Sequence, residues 1–507
     1  MLSYQKTICI LVTLLCTSIA FAQACYDENI VTSAYATGGS GLYKNQILWL
    51  TWGGKSNNNP YGTPNVTLNN GTKSYGSINL GAGKYLCVEA EIEMLNNGAI
   101  QSYKPGAYTG DSKDDWYNIG GTGDNNKLIS GIINKDNGVK SYFKIKAKAT
   151  INGSPIRLSG LVIADAESMD PDEYIRAKAD GIWRILEVKK NVGAGVYNIR
   201  KNAERKIIQF GGGNNQTTAA LAGLKFNESA YSGSNYQIST EIVLRGTGKQ
   251  AVAIGLLTPG IDLGDAPDYY GSPMHTLEKM DLTTDNLREN IGFNNDNLET
   301  GSWQGDARDN INTTTYNPAT FITTANSYLG TLPAQPNASN VHGPLANLDG
   351  FNTNEEDVWP NAYNNFSYKA SFYNQGETLR IPIKYTSKNT AYITAWLDFN
   401  RDGKFGSNTN EVVNINNSNG NVSVTNATNK EFTVIKVAPA TNGNTTLIWT
   451  IPQDRATRST YVRIRIAEKL DEILSPTSNA VNGEIEDHKI YILAPTSSNP
   501  VLQKRAK

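Results

Sequence analysis

Three carboxylates stand within Gly483-Glu484-Ile485-Glu486-Asp487, and Asp398-Phe399-Asn400-Arg401-Asp402-Gly403 sets an oxygen-bearing side chain at every second position before a glycine. That arrangement suits a hard cation. Calcium takes about six to eight oxygen ligands, and the chain must turn sharply to bring them together. The bidentate glutamate of a helix-flanked calcium loop is missing, because Thr409 occupies the twelfth position and Glu411 comes only after it. The pattern therefore reads as a strand-to-loop calcium site, in which Asp398, Asn400, Asp402 and Glu411 are joined by Glu484, Glu486 and Asp487 from a neighbouring edge. An Asx-rich turn closed without metal is the competing reading.

A second acidic set comprises Asp262, Asp265 and Asp268, with Asp349, Glu355, Glu356 and Asp357 further on. Carboxylates this dense repel one another unless cations or backbone donors compensate, so metal or a solvated loop is expected rather than a core position. The turn Asp165-Ala166-Glu167-Ser168-Met169-Asp170 closes the apolar run Leu161 to Ala164. Solvation is the expectation for such a turn, with Asp165, Glu167 and Asp170 as candidate ligand-binding groups for a cation or a basic partner. Trp116, in the glycine-bounded stretch 106–121, either stacks on a sugar or peptide or lies buried.

Enzyme signatures are thin. The three histidines, His275, His342 and His488, form no His-Glu-x-x-His zinc motif, and no Gly-x-Ser-x-Gly elbow occurs. Gly246-Thr247-Gly248-Lys249-Gln250 fails as a phosphate loop, since Val243 stands where the first glycine belongs and Gln250 where a hydroxyl is needed. No catalytic residue is assigned, and the expectation is a protein without enzymatic activity. A glycosidase needs only two carboxylates, so hydrolysis stays open as the alternative.

The first residues bound the compartment. A lone Lys6, an apolar run from Ile8 to Ala22 and the ending Ala20-Phe21-Ala22 read as a secretory signal peptide over residues 1–22. Lipid attachment at Cys25 is the other reading, but the preceding Ala22-Gln23-Ala24 lacks the usual leucine. No later segment reaches the ~20 apolar residues of a spanning helix. In an oxidising compartment Cys25 and Cys87 are expected to form a disulfide, with two free thiols as the alternative.

Net charge is −1, from 46 basic and 47 acidic residues, so no global field draws nucleic acid or an anionic membrane. With 46 glycines and 26 tyrosines among 507 residues, and abundant Asn, Thr and Ser, the chain favours strands and turns over helices. An all-β secreted protein is expected, too long for a single core.

Period-two alternation appears twice with opposite charges. Val88, Ala90, Ile92 and Met94 alternate with Glu89, Glu91 and Glu93, and Phe143 to Ile151 alternates with Lys144, Lys146 and Lys148. Both read as half-buried strands of an antiparallel sheet; if paired, the two rows face each other. Ile47 to Trp52 is apolar on both faces, as befits a strand covered on both sides. Residues 23–259 form one sandwich, residues 260–360 a loop-rich decoration placed on the following module, residues 361–494 a second, smaller sandwich, and residues 495–507 a flexible tail.

Several ordered blocks resemble a known family. Ala36-Thr37-Gly38-Gly39-Ser40-Gly41, Gly160 to Glu167, Glu173-Tyr174-Ile175, Trp183 to Glu187 and Ala253 to Leu257 are similar to the lectin-like adhesive domain of CshA-type fibrillar adhesins. The resemblance implies a jelly-roll-like sandwich that engages host or matrix glycoproteins. Leu263 to Asp268, Glu355-Glu356-Asp357-Val358, Asp398 to Asp402 and Gly483 to Asp487 resemble the GEVED module of secreted bacterial surface proteins, with Ile485 where valine is usual and His488 where tyrosine is usual. The expected protein is a secreted or cell-surface adhesin binding a glycan or an extracellular-matrix glycoprotein, with neither nucleic acid nor a transmembrane segment involved. A secreted carbohydrate-active hydrolase and a structural envelope protein are the alternatives.

Overall fold

The computed structural model describes residues 25–81, 84–108, 111–189, 197–211, 219–277, 281–305, 308–310, 317–322, 326–333, 346, 356–360, 378–406, 432–450 and 458–492. The signal-peptide segment, Glu411, Asp349, Glu355 and the tail lie outside them. Strands dominate, as the composition predicts, and helix is limited to short turns.

Two nine-stranded antiparallel sheets build the first sandwich. In one of them the Lys84–Met94 strand lies beside Lys140–Ile151, in the register Glu89 to Lys148, Glu91 to Lys146 and Glu93 to Lys144. The two charge rows therefore do pair. Lys146 reaches Glu93 at 2.5 Å, while Lys73 on the far neighbour strand reaches Glu89 at 2.7 Å. On the opposite face Val88, Ala90, Ile92, Phe143, Ile145 and Ala147 enter the main core. Each cross-strand ion pair adds roughly 0.2–1 kcal/mol, so the apolar row carries most of the stability.

The second sheet is covered on both faces. Its centre is the Gly160–Asp165 strand, flanked by Ala219–Phe226 and Ala251–Leu257, and Ile47–Trp49 pairs with the last of these. Leu48, Leu50 and Trp52 face the main core, whereas Ile47 and Trp49 face a second apolar layer with Tyr117, Leu128 and Val162. That double burial explains a segment without polar alternation. Cys25 and Cys87 are joined by a disulfide that ties the start of the described chain to the Lys84–Met94 strand, with Cα atoms 5.5 Å apart.

The segment after residue 260 divides its loyalties, which corrects the expected placement on the second module. Residues 281–305, 308–310 and 317–322 dress the first sandwich: Asp309–Asn310 adds to its sheet edge, and buried Arg176 donates to the carbonyls of Leu298 and Gly301 at 2.7 and 2.9 Å. Lys201 is buried against Asp285 at 2.7 Å. Residues 326–333 and 356–360 belong to the second module instead, where Ser327–Leu329 pairs with Thr378–Ser387. Backbone carbonyls make most of these attachments, and a sequence does not advertise them.

The second module sets a three-stranded sheet, with Thr378–Ser387 at its centre, over a four-stranded sheet ordered Phe432–Val437, Ala391–Leu397, Arg458–Ala467, Glu484–Ile492. Between the sandwiches, Gly260–Leu263 and Met274–Leu277 form a hairpin that takes Asn479–Val481 as a parallel third strand.

Candidate functional site

Three loops meet at one end of the first sandwich: residues 104–108 with 111–126, residues 165–173 and the turn at Thr247–Gly248. Asp111 joins the first two. It accepts hydrogen bonds from the Tyr103 hydroxyl, from Gly106 N–H at 3.1 Å and from Ser168 N–H at 3.2 Å. Glu173 joins the second and third, accepting from Asp170 N–H at 2.8 Å, Thr247 N–H at 2.7 Å and Gly248 N–H at 3.1 Å. Carboxylates that each collect several N–H donors fix loop geometry as a turn residue alone cannot.

The acidic turn is not solvated at its start, contrary to expectation. Asp165 is 1% exposed and accepts from Gln250 Nε2 at 3.0 Å and from the Tyr197 hydroxyl at 3.2 Å. Burial pushes its carboxyl well above the usual carboxylate range. Glu167 is half-buried, and burial first, then the neighbouring Asp111, Asp165 and Glu173, push it up to about 9. Burial also raises Asp111, to about 6. Glu167 Oε2 and Gln250 Oε1 are buried without a hydrogen-bond partner among the described residues. Near neutral pH this end of the sandwich therefore offers a protonated carboxyl, able to donate a hydrogen bond.

Trp116 takes the buried alternative. It is 5% exposed in the short helix Lys113–Trp116, in the layer that covers the second sheet, and so offers no face to a ligand. Lys113 in the same turn is wholly buried, donating to Ser130 Oγ at 2.7 Å and lying 4.0 Å over the Trp49 ring. Burial drives its ammonium well below the ordinary lysine range. The exposed aromatic of this region is Tyr108, 55% exposed, with its carbonyl held by Asp111 N–H at 3.3 Å. Its position in a glycine-flanked loop was the available signal. Asp170 is exposed beside these loops.

Among the described residues, the expected calcium ligands do not gather into one cluster of carboxylates. Asp398 is buried, accepting from Arg401 N–H and the Tyr270 hydroxyl at 2.5 Å and from Gly403 N–H at 3.2 Å. Asn400 accepts from Asp402 N–H, and Asp402 from Lys404 N–H, each at 2.9 Å. Asp487 pairs side-on with buried Arg463, both bonds 2.7 Å, and also accepts Ala266 N–H at 2.8 Å. Glu484 accepts Leu329 N–H, and Glu486 accepts Val358 N–H at 3.0 Å. In the Glu484–Ile492 strand, residues 484 and 486 point to one face and Asp487 to the other. Asp262, expected in a metal or solvated loop, is buried and accepts Ile485 N–H at 2.7 Å, and Asp265 is buried too. Backbone N–H groups supply the compensation for Asp262, Glu484 and Glu486, and Arg463 with Ala266 N–H supplies it for Asp487, so these carboxylates act as staples that pin incoming segments to the sheet.

Fold and site together define an all-β protein in which two sandwiches are joined by a structured connector and cross-braced loops sit at one end of the first. Residues 45–257 match the family model of surface adhesin CshA non-repetitive domain 2, and residues 392–491 match the GEVED domain. The first sandwich is thus similar to a CshA-type adhesin domain and the second to a GEVED domain, which supports a surface adhesin. Among solved structures, the N-terminal domain of the Streptococcus gordonii adhesin Sgo0707 aligns over 92% of this chain and 95% of that one, at 8% identity and a TM-score of 0.27. Escherichia coli alpha-2-macroglobulin activated by porcine elastase aligns over 81% and 36%, at 10% identity and a TM-score of 0.12. At such scores neither alignment bears on fold or function. No curated protein matches the chain. No helix among the described residues is long and apolar enough to cross a membrane.

Proposed function

We propose that this chain is a non-enzymatic adhesin of the cell surface or extracellular space, that the loops carrying Tyr108, Glu167 and Asp170 bind a glycan or an extracellular-matrix glycoprotein, and that the second module supports the first. One observation carries the reading: an exposed tyrosine and a carboxyl held protonated lie on loops cross-braced to a rigid sandwich by Asp111 and Glu173. An aromatic face packs on a sugar ring or apolar side chain at low entropy cost, and a neutral carboxyl both donates to and accepts from hydroxyls. The test is binding of the full chain to a glycan array and to immobilised matrix glycoproteins. Tyr108→Ala and Asp170→Asn should each weaken the captured interaction about tenfold or more, the equivalent of ~1.4 kcal/mol. Unchanged binding by both variants would move the ligand site elsewhere.

The hydrolase alternative has one supporting observation, the different environments of Asp111 and Glu167, since acid and base carboxyls are set apart in this way. Asp111 nonetheless has both oxygens occupied by the Tyr103 hydroxyl and two backbone N–H groups, which makes it a brace rather than a base. The calcium proposal narrows to the loop Asp398-Asn400-Asp402. The loop fits a cation only through oxygens not already committed, because its turns are closed by its own N–H groups. Melting the full chain with calcium and with chelator tests it: a lower midpoint in chelator, lost in Asp402→Ala, supports the site, and identical midpoints end it.

A further inference from the structure

Glu356, Glu486 and His488 each turn one ligand atom toward a common point, all within 4.8 Å of one another. His488 Nε2 lies 3.0 Å from Glu486 Oε2 and 3.8 Å from Glu356 Oε2. A tetrahedral zinc site with bonds of ~2.0–2.1 Å sets neighbouring ligand atoms roughly 3.3 Å apart, and the two observed distances bracket that edge. We propose that these residues form a site for a divalent transition metal of the zinc class, distinct in chemistry from calcium binding at the Asp398 loop and independent of what the adhesive loops bind.

Several features favour a metal over a plain ion pair. A single N–H at Nε2 points at one carboxylate, yet two converge on that nitrogen, whereas a cation on its lone pair draws in all three groups at once. Imidazole is a poor ligand for oxygen-seeking calcium and a good one for zinc, nickel or copper. The ligands are also held in place: Val358 N–H fixes Glu486 Oε2 at 3.0 Å, and the Trp359 ring lies 6.2 Å from the His488 ring at an interplanar angle of 30°. Such outer contacts orient ligands and sharpen affinity. Glu356 and His488 retain some exposure, 16% and 12% of their side chains, so an entry path exists and a fourth position is left for water or a partner's side chain. Glu486 and His488 lie on the Glu484–Ile492 strand and Glu356 on the segment that docks against it. Metal would clamp that segment to the sheet.

The experiment is a zinc titration of the untagged full chain after chelator treatment and dialysis, followed by calorimetry and by the visible spectrum of the cobalt-loaded protein. One metal per chain at micromolar or tighter affinity is expected, with a tetrahedral cobalt spectrum and a higher melting midpoint. His488→Gln and Glu356→Gln should each weaken binding by at least about 10–100-fold, while Asp402→Ala leaves it intact. Should either variant fold poorly, the nitrogen NMR shift of His488 Nε2 in the unmutated chain reports ligation directly. The proposal is overturned by no binding at ~100 µM zinc, by equal binding in both variants, or by a His488 resonance that responds to pH but not to zinc.

Discussion

Asp487 and Arg463 face each other on adjacent strands with no exposed side-chain surface, and the guanidinium also donates to the carbonyls of Tyr270 and Pro476 at 3.0 and 2.9 Å. With the Gly271 carbonyl at 3.4 Å from Nη2, every donor direction of the arginine is used inside the protein, and the aspartate is what balances its charge. Removing one partner of such a pair leaves an uncompensated buried charge, which costs far more than the pair contributes. Asp487→Ala should destabilise the second module by about 3–5 kcal/mol in denaturant titration, whatever the calcium concentration. A loss that appears only when calcium is present would instead make Asp487 a metal ligand. The contrast with Glu167 is instructive: there burial has no cation to answer it, and the carboxyl keeps its proton.

The strands were legible because their signal is local. Alternation of Glu89, Glu91 and Glu93 with Val88 to Met94 announces a two-faced strand, and the matching lysine row of residues 144–148 even selects its partner. In the second module the strand-like runs Tyr392 to Phe399, Tyr461 to Ala467 and Leu379 to Tyr385 mark Ala391–Leu397, Arg458–Ala467 and Thr378–Ser387, with ends displaced by a few residues as fraying requires. The connector was not legible, because its attachments run from backbone groups to charged side chains far away, as with Arg176 and the carbonyl of Leu298, or Glu484 and Leu329 N–H. Of the candidate site, Asp165, Glu167 and Asp170 are found on one turn as read, but Asp111 and Tyr108 entered only with the folded loop. The acidic motif reads two ways for a physical reason. A carboxylate that receives backbone N–H groups and one that receives a cation look alike in sequence, since each needs only oxygen at the right spacing.

At the scale of the whole molecule, the hairpin Gly260–Leu263 and Met274–Leu277 couples the sandwiches through buried polar groups. His275 is fully buried, with Nε2 accepting from Arg465 Nε at 3.0 Å and Nδ1 at 3.4 Å from the carbonyl of Asn482, while Asp262 lies opposite it in the hairpin. Lys84, from the first sandwich, donates to Asn479 Oδ1 at 3.3 Å on the third strand of the same small sheet, and burial lowers its ammonium to about 8. Burial first, then the Arg465 charge, drives His275 well below the ordinary imidazole range, so the folded protein keeps the ring neutral where the unfolded chain takes up a proton. As pH falls below about 6.5 the unfolded state binds the extra proton, and stability drops by ~1.4 kcal/mol per unit. By pH 5 the joint should have lost roughly 2 kcal/mol relative to pH 7, and His275→Gln, which keeps an acceptor for Arg465 but cannot titrate, should remove that part of the slope. Denaturant midpoints of the full chain and the variant at the two pH values decide the matter. Parallel curves would mean that the ring is protonated in the folded state, and an arginine held at 3.0 Å from an imidazolium is an arrangement that electrostatics forbids without a further anion.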